Sequence, residues 1–200
     1  MHFEYGIKQS NLSVISEMLL QAEPIMLPHS FSHSCRDVKD YLRYSYLSGR
    51  GFFSYKNLYV LKDNNVIVGI FTLYPAKEYF QKLLGTIVNT LLFYGIKGSL
   101  NCLLRSKELS SLYHTPSNNC LYLANVAIAS EFQGKGIYKL LNQKMISECI
   151  DSGFRAIELD VVKENNARNV YLKYGFEIES ESNYSGNLKF TGIVRMIRTI

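Results

Sequence analysis

Val126-Ala127-Ile128-Ala129-Ser130-Glu131-Phe132-Gln133-Gly134-Lys135-Gly136-Ile137 is the stretch whose reading decides the fold. An apolar strand runs into a turn, and two glycines flank a lysine where a helix begins. Helix N-termini present unpaired N–H groups and a partial positive charge, and glycines let an anion approach them closely. Lys135 adds a full charge. The turn is suited to cradle a pyrophosphate, held largely by backbone. It is neither a Walker motif, which needs GxxxxGK(S/T), nor the dinucleotide fingerprint GxGxxG. A Gly-Lys-Gly at a helix start also serves as a plain flexible turn, so the neighbouring sequence has to decide.

Around this turn the pattern is regular. Cys120 to Ala129 reads as the strand before it. Gly134 to Ser152 reads as a long amphipathic helix, with Ile137, Leu140, Leu141, Met145 and Ile146 turned inward. Ala156 to Val162 is nearly continuously apolar, as in a strand buried mid-sheet. A short helix over Asn166 to Tyr174 precedes a strand opening at Phe176, and Thr191 to Ile200 forms another strand.

Gln133-Gly134-Lys135-Gly136-Ile137-Tyr138 resembles the Gln/Arg-x-x-Gly-x-Gly/Ala signature of the GNAT superfamily of acetyl-CoA-dependent N-acetyltransferases. The first two fixed positions match; Tyr138 stands where the family has a small residue. Its ring is expected to point outward and leave the backbone cradle intact. Tyr171 to Phe176 reproduces the family's Tyr-x-x-x-Gly-Phe helix ending, with Asn165 about one residue nearer the tyrosine than is usual. The resemblance covers roughly Leu121 to Phe176.

What the resemblance implies is specific. Acetyl-CoA is the donor, and an amine attacks its thioester directly. The oxyanion meets a backbone N–H on the strand Asn125 to Ala129, with Val126, Ala127 and Ile128 beside the donor. Strand splaying, aided by a bulge, opens a slot for the pantetheine arm. Gln133, Gly134, Lys135, Gly136, Ile137, Tyr138 and Asn165 complete the cofactor-binding set. Tyr171 protonates the departing thiolate, a role its ordinary pKa suits; read from the residues alone, it serves equally as a packing aromatic. Glu158 and Asp160, alternating on one strand, or a water ordered by Asn125, are candidates for deprotonating the amine.

The N-terminal part matches the family only in the order of elements. A strand is expected at Phe3 to Lys8 and a helix at Leu12 to Glu23. Pro24 and Pro28 then begin a loop, and a second helix covers Ser34 to Leu47. Leu58 to Lys62 and Val66 to Tyr74 form a hairpin around Asp63-Asn64-Asn65. Ala76 to Ser111 reads as two short helices inserted into the core fold, free to pack on it, to form a dimer surface or to roof an acceptor pocket.

The chain of 200 residues is 47% hydrophobic and 20% charged, with 15 tyrosines and 11 phenylalanines, which suits one α/β domain. The expected architecture is a mixed, mostly antiparallel twisted sheet with helices on both faces and a helical insertion. The net charge of +5 is dispersed, so it suits a polyanionic small ligand and argues against a nucleic-acid arm. Four scattered cysteines without a CxxC pair, and a start lacking an apolar leader, point to a reducing, cytoplasmic setting. The apolar run Leu83 to Ile96 is too short to span a membrane. His29, His33 and Cys35 lack a second ligand pair, so no metal is expected. The partners expected are acyl-CoA and an amine-bearing acceptor, with a homodimer possible; a longer acyl-CoA donor and a non-catalytic CoA sensor are the alternatives. No motif names the acceptor.

Overall fold

The chain runs β1 (His2–Tyr5), α1 (Leu12–Ala22), α2 (Met26–Phe31), α3 (Val38–Ser48), β2 (Leu58–Asp63), β3 (Val66–Pro75), α4 (Tyr79–Ser110), β4 (Cys120–Ile128), α5 (Ile137–Asp151), β5 (Ala156–Val162), α6 (Ala167–Lys173), β6 (Glu177–Asn183) and β7 (Gly192–Thr199). The computed structural model describes residues 1–8, 11–32 and 36–200. The strands form one sheet in the order β1-β2-β3-β4-β5-β7-β6. Every neighbouring pair is antiparallel except β4 and β5, which run parallel.

Local chemistry accounts for the element ends. Asn64 and Asn65 both take positive φ in the β2–β3 turn, the backbone that a tight hairpin needs and asparagine tolerates. Asp37 caps α3 by accepting from Lys39 N–H at 2.9 Å, so that helix starts at Val38 rather than Ser34. The expected loop after Pro24 contains α2 instead. Pro28 lies in its first turn, where a missing N–H costs no helical bond.

Two apolar layers sandwich the sheet. On one face α5 and α6 pack Leu141, Met145 and Tyr171 against Phe71, Leu159 and Met196. On the other, α1 and α3 bring Ile15, Leu19 and Leu42 onto Val60 and Ile70. A third cluster joins Met26 of α2, Leu109 of α4 and Ile193 of β7. The inward face of α5 is not the expected one: Leu140 is exposed and Tyr138 is buried.

The segment after β3 holds two helical stretches, as expected, but they are long and meet directly at a kink. A single 3-10 turn at Ala76–Glu78 leads into α4, which is broken only at Gly95, where φ of 69° and ψ of −178° suit glycine alone. By length and composition, Ala76–Ser110 is long and apolar enough to cross a membrane, contrary to the shorter run read from the sequence. As folded, its polar face is bonded to the domain: Thr90 Oγ1 to Tyr41 Oη at 2.9 Å, and Asn89 Nδ2 to Ser45 Oγ at 3.0 Å.

Candidate active site

The parallel strands β4 and β5 hold together only at one end. Cys120 to Leu123 pair with Ala156 to Leu159, and beyond that the strands part. A bulge in β4 drives the separation. Thr72 of β3 faces Ala124 and Ile70 faces Ala127, so Asn125 and Val126 together oppose a single residue. Asn125 takes φ of 52°, unusual for a side-chain-bearing residue. Its Nδ2 donates to Thr72 Oγ1 at 3.3 Å, while its buried Oδ1 has no partner. Ala129 N–H donates to Val68 O on β3, so alternation along the strand turns the N–H of Ile128 toward the open side, with Val126 two residues before it at the bulge.

A cleft of about 860 Å³ runs through this gap from one face of the sheet to the other. On the α5 side it is lined by Gln133, Gly134, Gly136, Ile137 and Tyr138, with Asn165 and Tyr171 opposite. Gly134 and Gly136 have φ of 73° and 78°, and a Cβ on either would stand in open space. No side chain caps α5, so its first-turn N–H groups face that space. These features fit a CoA thioester: a backbone anion cradle for the pyrophosphate, a slot through the sheet for the pantetheine arm, and an orphaned buried amide oxygen on its wall that can accept from an amide N–H of that arm.

Val126, Ala127, Ile128, Gln133, Gly134, Gly136, Ile137, Tyr138, Asn165 and Tyr171 all line the cleft. Lys135 lies outside it, with Nζ 5.4 Å from the centre of the Phe132 ring. Gln133 Nε2 turns back to donate to Ile128 O at 3.1 Å, closing the turn on the strand end. Asn165 Oδ1 accepts from Ala167 N–H at 2.9 Å and so starts α6.

Tyr138 does not point outward. Only 9% exposed, it lies with its ring centre 4.8 Å from that of Tyr174 and 5.7 Å from that of Tyr171. The helix that supplies the cradle also supplies core, and at this position the core takes the side chain. Tyr171 packs edge-on to Phe176 as well. Burial pushes the hydroxyls of Tyr138 and Tyr171 upward in pKa, so both keep their protons.

Across the sheet the cleft wall is acidic and aromatic. It includes Glu23, which directly follows α1, with Tyr113, Tyr122 and Asp160, beside Met26, Ile193 and Lys189. Asp160 accepts from Tyr122 Oη at 2.9 Å and from Arg195 through two bonds, Nε at 2.9 Å and Nη2 at 2.7 Å. Arg195 also donates to the carbonyls of His114 and Thr115, which fixes the segment carrying Tyr113. Burial, then repulsion from Asp160, raises the Glu23 carboxyl to about 7. Glu158, the other expected candidate on β5, lies outside the cleft. It is fully buried and accepts from Ser117 N–H at 2.9 Å.

Among the lining residues that sequence reasoning missed, Glu23, Tyr113 and Tyr122 carry polar groups that face an acceptor. An acid between an apolar helix and Pro24 was the one visible signal. Among the described residues, no group of three or more His, Cys, Asp or Glu stands ready for a metal. His33 and Cys35 lie outside the described residues.

The Acetyltransferase (GNAT) family model matches residues 23–176. A [ribosomal protein bS18]-alanine N-acetyltransferase of Haemophilus influenzae is 40% identical over 63 residues, covering 31% of this chain and 43% of the relative. The chain thus spans less than half the length of that relative. Among solved structures, an N-acetyltransferase of Staphylococcus aureus Mu50 superposes with a TM-score of 0.71 at 14% identity, covering 98% of this chain and 100% of that one. A Bacillus subtilis acetyltransferase in complex with CoA does so with a TM-score of 0.57 at 16% identity, covering 100% and 98%. At such identities the likeness is one of fold.

Proposed function

Because the chain belongs to the acetyltransferase (GNAT) family, we propose that it transfers the acetyl group of acetyl-CoA to a primary amine by direct attack of the amine on the thioester. The observation that carries this reading is the parting of β4 and β5 beyond Leu123 and Leu159. It joins the glycine cradle on one face of the sheet to the acidic, aromatic wall on the other through one cleft.

The residues divide the work by position. The backbone from Gly134 to Tyr138 holds the pyrophosphate, and the pantetheine arm takes the place that a continuing β4–β5 ladder would fill. The Ile128 N–H faces that arm and stabilises the charge that grows on the thioester oxygen. Glu23, with a carboxyl raised to about 7, takes the proton from the acceptor ammonium, directly or through water. As the carbon–nitrogen bond forms and the carbon–sulfur bond breaks, Tyr171 gives its proton to the departing thiolate, and the second proton of the attacking nitrogen passes through water to the Tyr171 oxygen. Solvent then takes the proton from Glu23. Tyr113 and Tyr122 present the rings against which an acceptor's apolar stem and cationic head would rest.

The acceptor is tested by following release of free CoA thiol with a panel of amines. The panel starts from a peptide with N-terminal alanine, the acceptor in the name of the Haemophilus influenzae relative, and includes polyamines and aminoglycosides. Thiol release that depends on both acetyl-CoA and one amine class, with acetylated product in the mass spectrum, supports the reading. Binding of acetyl-CoA with no transfer to any amine would favour a CoA sensor.

A further inference from the structure

Helix α4 is built inside out. Its domain-facing side is polar and bonded: Lys82 Nζ donates to Asn57 Oδ1 at 2.6 Å, Thr86 Oγ1 accepts from Phe52 N–H at 3.1 Å, and Asn89 Nδ2 reaches Ser45, Ser48 and the Arg50 carbonyl, each at 3.0 Å. Its solvent side is apolar. Phe80, Leu84, Ile87 and Leu91 follow one another at helical spacing, with Val88 and Leu92 beside them, all exposed. Beyond the kink at Gly95, Ile96, Leu100 and Leu103 form a second exposed apolar run; Phe80 is 66% exposed, Leu92 60% and Ile96 81%. From Tyr79 to Ile96 the only charged side chain is Lys82, which is buried.

A surface helix ordinarily turns its apolar stripe to the core and its polar residues to water. Here the polar residues are committed to the fold, so rotating the helix would break the bonds that hold it. At ordinary side-chain areas the exposed stripe amounts to on the order of 1,000 Å² per chain. That exceeds the few hundred Å² of apolar patch usual on a monomer and matches the roughly 800 Å² that each partner of a standard interface buries. None of the residues lining the acetyl-transfer cleft comes from α4, so the stripe does not serve as a roof for the acceptor.

We infer that α4 is the dimer interface of this protein and that its apolar face is covered by the α4 of a second copy of the chain. The area decides for a second copy: a stripe of this size on each chain makes a self-complementary, two-fold contact of the size a stable dimer needs. A lipid surface would be met by a helix with basic residues on its polar side. Here that side is the one sealed against the domain, and the exposed lysines of the segment, Lys77, Lys97 and Lys107, are spread over its length rather than gathered in a row beside the apolar face.

The test is sedimentation velocity on the full chain, with and without Leu92→Glu, backed by Leu100→Glu in the second half of the helix. Both side chains are exposed, so each variant keeps its fold, checked by circular dichroism. Ile150→Glu, on the exposed side of α5, is the control. The expected result is a species of twice the 22.9 kDa chain mass. Each α4 variant should weaken it by roughly thirtyfold or more, while the control leaves it unchanged. A wild-type monomer at every concentration would overturn the inference, as would a dimer indifferent to both α4 variants. A monomer that floats with phosphatidylcholine–phosphatidylglycerol vesicles, and is released by Leu92→Glu, would overturn it in favour of a membrane surface.

Discussion

Asp160 and Arg195 stand opposite each other on β5 and β7, joined by a bidentate pair of hydrogen bonds and almost wholly buried. The pair sets a fixed carboxylate on the cleft wall, and that carboxylate adds to the effect of burial in raising the Glu23 carboxyl to about 7. As a base, Glu23 acts only when deprotonated, so kcat/KM should rise with pH through about 7. Glu23→Gln should remove this limb and lower the rate about a hundredfold or more. Asp160→Asn should move the limb to lower pH while costing about 3–5 kcal/mol of stability, because Arg195 loses its partner. A pH–rate profile on the three proteins checks all of this.

The same carboxyl makes a signed prediction for stability. Its native pKa lies above its ordinary value of 4.5, so the folded state holds the proton more tightly than the unfolded one. Stability should therefore fall as pH rises from about 4.5 to about 7, and the cost should stay fully present above that. Glu23→Gln should flatten this part of the profile, read as denaturation midpoints across the range.

Tyr171→Phe keeps the ring that packs on Tyr138 and Phe176 and removes only the proton donor. Single-turnover and steady-state assays should show kcat reduced about a hundredfold, with affinity for acetyl-CoA near that of the parent. Equal activity in the two proteins would assign Tyr171 to packing alone.

Tyr138 separates core from cradle. Its hydroxyl is buried without a partner, so Tyr138→Phe should leave thermal stability within about 1 kcal/mol of the parent, on the stabilising side. Tyr138→Ala restores a small residue at the third position of the family signature. It also empties the space between Tyr171 and Tyr174, and should cost about 3–5 kcal/mol.

The C-terminal half of the fold was legible because its signals are local. Glycines at the turn, an apolar β5 and the Tyr171-to-Phe176 ending each report on residues close in sequence. Glu23 was not legible, because its raised carboxyl depends first on burial and then on the charge of Asp160, both of which come only with the folded sheet. Tyr138 was misjudged since one helical turn serves two ends: its backbone faces the cleft and its side chain enters the core. For α4 the periodicity gave helices but not which face the domain takes, and here the domain takes the polar one. Pro28 misled for a related reason: a proline ends a helix from its interior but is tolerated in its first turn.

The central claim is that the space over Gly134 and Gly136 binds the pyrophosphate of a CoA thioester. The most direct measurement is calorimetric titration of acetyl-CoA into the protein and into Gly136→Val, with dephospho-CoA and ATP as controls. The substitution places a branched side chain at φ of 78° and into the cradle, and should itself cost about 1–2 kcal/mol of stability. Saturable one-to-one binding to the parent, weakened at least about tenfold (1.4 kcal/mol) in the variant, is the result predicted. Absence of binding to acetyl-CoA, or equal binding by a folded Gly136→Val protein, would contradict it.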